Sequence, residues 1–270
     1  MRKVQLLLSL LFAIHTSLGG APAPARLVSL TPSITSQLYE LQVHNRVVGI
    51  TTFCRRVDES QSVVGTYLQP NIERIVSLKP DMVLISKEGA APEIASLLEK
   101  FRIRLRVFEP VNSLDDLIFH ARELAVLVDA RETCAVLERE AVAAGSRADS
   151  LIPAPRVLAL IALDPMVAAS SRSYVGAVIA RAGGQVLLRT EVRYPMLSPE
   201  EVVRLDPDVI LIADMGASEE AYERFKRRFR RVRAVRRNAV YRMDPDVLCQ
   251  PTLGNWRQGV IAVGEVLLRR

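Results

Sequence analysis

Two stretches of the chain carry the same order of apolar and polar positions. Asn71-Ile-Glu-Arg-Ile-Val-Ser-Leu-Lys-Pro-Asp-Met-Val-Leu-Ile85 lies over Ser198-Pro-Glu-Glu-Val-Val-Arg-Leu-Asp-Pro-Asp-Val-Ile-Leu-Ile212 at a constant offset of 127 residues, so that Glu73 falls on Glu200, Leu78 on Leu205, Pro80 on Pro207 and Asp81 on Asp208. In each copy the spacing (Ile72, Ile75, Val76; Val202, Val203, Leu205) predicts a short helix that opens with an acid and stops at Pro-Asp, because proline lacks an amide donor and disfavours helix before it. The unbroken runs that follow, residues 83–85 and 209–212, predict buried strands of the parallel kind. A second matched pair, residues 26–30 and 156–160, opens each half. Between the halves, Asn112-Ser113 caps a helical pattern (Leu114, Leu117, Ile118, Leu124, Leu127) that resumes at Ala130 and runs to about Ala148.

The pattern predicts an α/β fold of two similar lobes, residues 26–112 and 151–270, on either side of a helical connector, residues 113–150. Two lobes meeting across a connector leave a cleft, and clefts between lobes are where ligands bind. A repeat that only builds a fold is the alternative.

The N-terminus follows a different pattern. Arg2 and Lys3, an apolar run over residues 4–14 and small residues over 19–25 predict a signal peptide, residues 1–22, cleaved somewhere in 19–25, and hence a soluble periplasmic protein. An uncleaved anchor is the alternative. No cysteine follows the run, which argues against a lipid anchor. No other stretch approaches the roughly 18 apolar residues of a membrane span.

Composition narrows this further. With 270 residues, 49% hydrophobic and 24% charged, the chain can bury a real core. Its net charge of +6 is local, because nine basic residues fall within residues 224–237. Phe225 and Phe229, four apart in that stretch, predict a solvated amphipathic helix with one apolar stripe; attraction to anionic lipid is the alternative, and export argues against nucleic acid. Cys54, Cys134 and Cys249 form no CxxC or zinc pattern, and their spacing favours small buried residues over a Cys54 to Cys249 bridge.

No catalytic constellation is present. His15 lies in the signal, His44 and His120 are single residues, and the chain has no nucleophile elbow, phosphate loop or His-Glu-x-x-His. Glu73 and Glu200 sit where a helix dipole favours an acid. The expectation is a binding protein, not an enzyme, with no metal held by its own side chains and no intrinsic cofactor. A bulky organic or metal-organic ligand needs aromatic walls and a few polar anchors instead.

Arg26-Leu-Val-Ser-Leu-Thr-Pro-Ser, Val48-Gly-Ile-Thr-Thr-Phe-Cys54, the run from Asn71, Tyr194-Pro-Met-Leu-Ser-Pro-Glu-Glu-Val and Ala234-Val-Arg-Arg-Asn-Ala-Val-Tyr together resemble the periplasmic binding proteins of cobalamin and iron-siderophore ABC importers. The resemblance spans essentially the whole chain after the signal. It implies two Rossmann-like lobes with central parallel sheets, joined by one long rigid helix, and a monomer that serves a permease dimer and its ATPase. It also implies a corrinoid sandwiched by aromatics at Phe53, Tyr67 and Tyr194. Two departures stand out: a further family aromatic falls on Ser86, and the usual Tyr-Pro is replaced by Arg55-Arg56-Val57. Arg55 and Arg56 would suit carboxylates of a siderophore or haem, solvated loop charges being the alternative. By the same resemblance Glu73 and Glu200 dock the permease, while Trp256 ends a loop that either touches ligand or packs in the core, with Cys249 beside it.

Overall fold

The structure, a computed structural model, describes residues 23–89, 92–145, 152–214, 216 and 218–269, so the expected signal peptide lies outside the described residues. In the first lobe the apolar runs become β1 (Leu27–Ser29), β2 (Val47–Ile50), β3 (Ser62–Val63), β4 (Met82–Ser86) and β5 (Arg104–Phe108), an all-parallel sheet in the order β3-β2-β1-β4-β5. The helices α1 (Pro32–Glu40), α2 (Ile72–Ser77) and α3 (Pro92–Lys100) connect its strands. Leu27, Met82 and Leu84 enter one apolar cluster, and Val28, Val83 and Ile85 enter another. Both faces of these strands are therefore covered, which is why they read as unbroken apolar runs.

The second lobe repeats the plan with parallel strands β6 (Arg156–Leu163), β8 (Gln185–Val186), β9 (Val209–Ile212) and β10 (Val240–Arg242). Its helices are α6 (Tyr174–Arg181), α7 (Pro199–Leu205), α8 (Glu219–Arg228), α9 (Arg233–Arg236), α10 (Pro245–Cys249) and α11 (Leu253–Leu268). One strand departs from the expected parallel pattern: β7 (Met166–Ala168) runs antiparallel beside β6. Asp164 and Pro165 alone link the two, too little chain for the crossover a parallel neighbour requires.

The Pro-Asp ending of the repeat is a clamp as well as a helix stop. Lys79 and Asp206 turn the chain in the left-handed region, with φ of 48° and 41°. The next acid reaches back to the first strand of its own lobe. Asp81 Oδ2 accepts from the Arg26 amide at 2.8 Å, and Arg26 Nη2 donates to Leu78 O at 2.7 Å. Asp208 Oδ2 accepts from the Arg156 amide at 3.0 Å, and Arg156 Nη2 donates to Leu205 O at 2.6 Å. Asn71 and Ser198 hold matching N-caps on α2 and α7.

The connector is α4 (Leu114–Val128) followed by α5 (Arg131–Ala143), two helices rather than one long one. A capping box between Ser113 and Asp116 starts α4, and Asp129 ends it at a φ of 57°, a conformation its short polar side chain tolerates. From there α5 packs back against α4 and onto α11. The predicted basic helix over 224–237 is likewise divided. The chain leaves α8 at Phe229, whose ring packs 4.6 Å from the buried Phe225, and resumes in α9, where Arg233 binds Asp206 and Asp208.

One apolar cluster runs through both lobes, joining Ile34 and Leu38 of α1, Leu117 and Leu124 of α4, and Val260 and Val263 of α11. Polar contacts follow the same seam. Ser36 Oγ donates to Gln250 Oε1 and Gln37 Nε2 to Pro251 O, each at 2.9 Å, while Glu40 accepts from the Thr252 hydroxyl and, at 3.2 Å, from the Gly254 amide.

Burial pushes the Asp208 carboxyl up, but the Arg156 amide and the Arg233 guanidinium outweigh it and hold the group below the usual carboxylate range. Its contribution is therefore present above that range and lost as pH falls through the lowered value. Asp208→Ala is expected to lower the unfolding free energy by about 2 kcal/mol near neutral pH. Urea denaturation should show the deficit shrinking in acid.

Candidate functional site

The C-terminal ends of both parallel sheets face each other, the end at which open α/β sheets bind ligands. Between them lies a cleft of about 320 Å3 lined by both lobes. Phe53 enters it from the loop after β2 and is 63% exposed although it serves no core. Its backbone is fixed by Thr52 donating to Gly65 O and Cys54 to Thr51 O, each at 3.0 Å. Tyr67 enters from the turn after β3. That turn needs Gly65, at φ 109°, because a Cβ there would lie 2.6 Å from Gln69 O. The Tyr67 ring lies against Gly89, where a Cβ would approach it to 2.6 Å. Burial raises the Tyr67 phenol, opposed by a hydrogen bond with Ser86, the residue that stands where an aromatic was expected.

From the second lobe comes Tyr194, whose phenol is raised by burial and then by the nearby Cys249 and Glu88. Phe53, Tyr67 and Tyr194 thus line one cleft from two lobes.

Four further residues of the lining escape sequence reasoning. Tyr174 is buried, yet its hydroxyl has no hydrogen-bond partner among the described residues. His120 stacks on Phe108 with centroids 4.4 Å apart, and its Nδ1 lies 2.9 Å from Gln37 Oε1. Since the Gln37 amide nitrogen is already donating to Pro251, Nδ1 is the donor, and the imidazole is neutral. Burial, and after it Arg106, hold its pKa down to about 4. Glu88 and Arg193 complete the group and form an ion pair across the two lobes. The signal for Glu88 was its place just past the end of β4, and for Arg193 its place beside Tyr194.

Other expected site residues lie elsewhere. Arg55 borders a separate groove beside α1 and α10, and Arg56 folds onto its own loop, donating to Asp58 O at 3.1 Å and to Glu59 O. Neither lines the cleft. Trp256, 2% exposed, packs in the core 6.0 Å from the Tyr174 ring, because α11 turns that face inward; it does not line the cleft either. Cys249 does line it, with its thiol pushed up to about 12 by burial and then by Asp214, Asp244 and Asp246, so it presents a neutral S–H. All three cysteines are free. Glu73 and Glu200 are exposed in the first turns of α2 and α7. Among the described residues no group of three or more His, Cys, Asp or Glu is arranged to hold a metal ion, and no helix is long and apolar enough to cross a membrane.

A family profile described as periplasmic binding protein matches residues 27–247. A cobalamin-binding protein of Halobacterium salinarum is 29% identical over 211 residues, 74% of this chain and 56% of the relative, so the chain spans little more than half of that protein. Among solved structures, a periplasmic heme binding protein from Pseudomonas aeruginosa superimposes with a TM-score of 0.79 at 22% identity, covering 90% of this chain and 92% of that one. The periplasmic vitamin B12 binding protein of Vibrio cholerae does so with a TM-score of 0.72 at 20% identity, covering 92% and 98%. At these identities the structural matches speak for the fold.

The His120 environment makes a direct prediction. Its ring resonances should hold still from about pH 8 to about pH 5 and move only near pH 4. Protonation is then harder in the folded than in the unfolded chain, so stability should decline as pH falls from about 6.5 towards 4. An imidazole that titrates near its ordinary value would contradict the buried, neutral assignment.

Proposed function

We propose, from the premise that the chain belongs to the periplasmic binding protein family, a family of binding proteins rather than enzymes, that it is the exported solute-binding component of an ABC importer. It captures a corrinoid of the cobalamin type and hands it to a permease dimer driven by an ATPase.

One observation carries this reading: Phe53 and Tyr67 of one lobe and Tyr194 of the other line a single cleft whose one cationic side chain among the described residues, Arg193, is already paired. Rings supply large flat contact with little entropy to lose. A corrinoid edge carries uncharged amides, whereas haem and many siderophores carry carboxylates that ask for free guanidinium or ammonium groups. Arg55 and Arg56, the residues expected to serve such a ligand, do not border the cleft.

Delivery rests on Glu73 and Glu200. They are exposed, have no ion-pair partner among the described residues, and occupy equivalent positions of the repeat. Two matching carboxylates on two similar lobes suit a permease with two-fold symmetry.

Calorimetric titration with cyanocobalamin should show one-to-one binding. Phe53→Ala and Tyr194→Ala should each weaken it about tenfold, and the triple variant including Tyr67→Ala should abolish it. Corrinoid silence with saturable haem or siderophore binding would assign another cargo of the same importer class, and a triple variant with unchanged affinities would make the chain an interaction protein on a borrowed scaffold. Glu73→Arg combined with Glu200→Arg should stop uptake in cells while the purified variant binds corrinoid as before; unimpaired uptake would refute the docking role.

A further inference from the structure

Among the described residues the ionised side chains lining the cleft are Glu88, Glu109 and Arg193. Glu109 is paired outside it with Lys87 at 2.8 Å. Arg193 projects from the second lobe, its backbone carbonyl fixed by the amide of the fully buried Ser170 at 2.9 Å. Its guanidinium crosses to the first lobe, pairs with Glu88 and reaches Asn112 Oδ1 at 3.4 Å.

The pair lines the same cleft as Tyr67 and Tyr194. Glu88 acts to raise, and Arg193 to lower, the phenols of both Tyr67 and Tyr194. With side chains 32% and 45% exposed, a pair of this kind does little for stability. Its place in the cleft lining, tying one lobe to the other, gives it another consequence. A carboxylate that engages Arg193 displaces Glu88 or shares the guanidinium with it, and in both cases stays beside that acid, two like charges in a confined space. An amide has no such difficulty, since its carbonyl can accept from a free guanidinium N–H while its nitrogen donates to Glu88.

We propose that Glu88 is a specificity-determining residue: by holding Arg193 across the cleft it admits ligands edged with amides and rejects those edged with carboxylates. This rests on the reading of the cleft as the ligand site of a corrinoid receptor. It goes beyond that reading by placing the discrimination on one side chain.

Two pairs of probes, each matching a neutral ligand with its carboxylate, test it: cyanocobalamin against a monocarboxylic acid derived from it by hydrolysis of one amide, and iron protoporphyrin dimethyl ester against the diacid. Wild type should prefer the uncharged member of each pair that binds. In Glu88→Gln the ratio should move at least tenfold toward the carboxylate, and adding Arg193→Met should return it close to the wild-type value. A Glu88→Gln ratio within threefold of wild type overturns the proposal, as does a shift that persists without Arg193. If only the porphyrins bind, the corrinoid reading fails while the ester-to-acid ratio still decides the role of Glu88. If neither pair binds any of the proteins, both ideas fall.

Discussion

The cleft has its shape because one carboxylate of the first lobe sits on the N-terminus of the last helix of the second. Glu40, at the end of α1, accepts from the Thr252 hydroxyl and the Gly254 amide where α11 begins. A carboxylate there meets the unsatisfied amides and the positive end of the helix dipole. Burial raises the Glu40 carboxyl, and the hydrogen bonds from Thr252 and Gly254 oppose it. The contact leaves no room for a side chain at 254, where a Cβ would lie 2.5 Å from Glu40 Oε1. Gln37, one turn earlier, ties the same loop to His120 of α4. With a single apolar cluster beneath both lobes, these bonds set the separation of the two sheets, and so the gap between Phe53, Tyr67 and Tyr194. A site prepared in this way spends little binding energy on ordering itself.

Charge is partitioned along the same axis. The arginines of residues 227–237 lie at the end of α8 and around α9, just before β10 begins, and thus at the N-terminal edge of the second sheet. The cleft lies at the opposite edge and carries two acids and one paired arginine. The surplus of +6 therefore describes a remote pole and says nothing about the ligand. Glu73 and Glu200 stand in the exposed first turns of α2 and α7, outside that basic stretch.

Much of the fold was legible because it is written in local rules applied twice. The acid at the helix start, the Pro-Asp stop and the aliphatic run marked a helix and a strand in each half, and Ser113 marked the start of α4. The clamp from Asp81 to Arg26 and from Asp208 to Arg156 was hidden in the same letters, since it joins residues more than fifty positions apart. The antiparallel β7 escaped notice because its apolar run is too short to announce itself, whereas the break at Asp129 was marked by the pattern resuming at Ala130 and the single long helix came from the resemblance alone. The aromatic positions came from resemblance. Glu88, Arg193, Tyr174 and His120 did not, because their significance lies in contacts between elements that no spacing encodes. Arg55 and Arg56 follow the cleft residue Phe53 by only two and three positions, but the loop turns away after Cys54, which the hydroxyls of Thr35 and Thr51 hold at 3.2 and 3.1 Å.

A crystal structure of residues 23–270 grown with cyanocobalamin would show whether a preformed aromatic cleft receives an uncharged corrinoid. The expected result is the corrin ring in contact with Phe53, Tyr67 and Tyr194, with Glu40 still bonded to Thr252 and Gly254. A corrinoid bound elsewhere, or lobes swung apart with Glu40 drawn off α11, would contradict it.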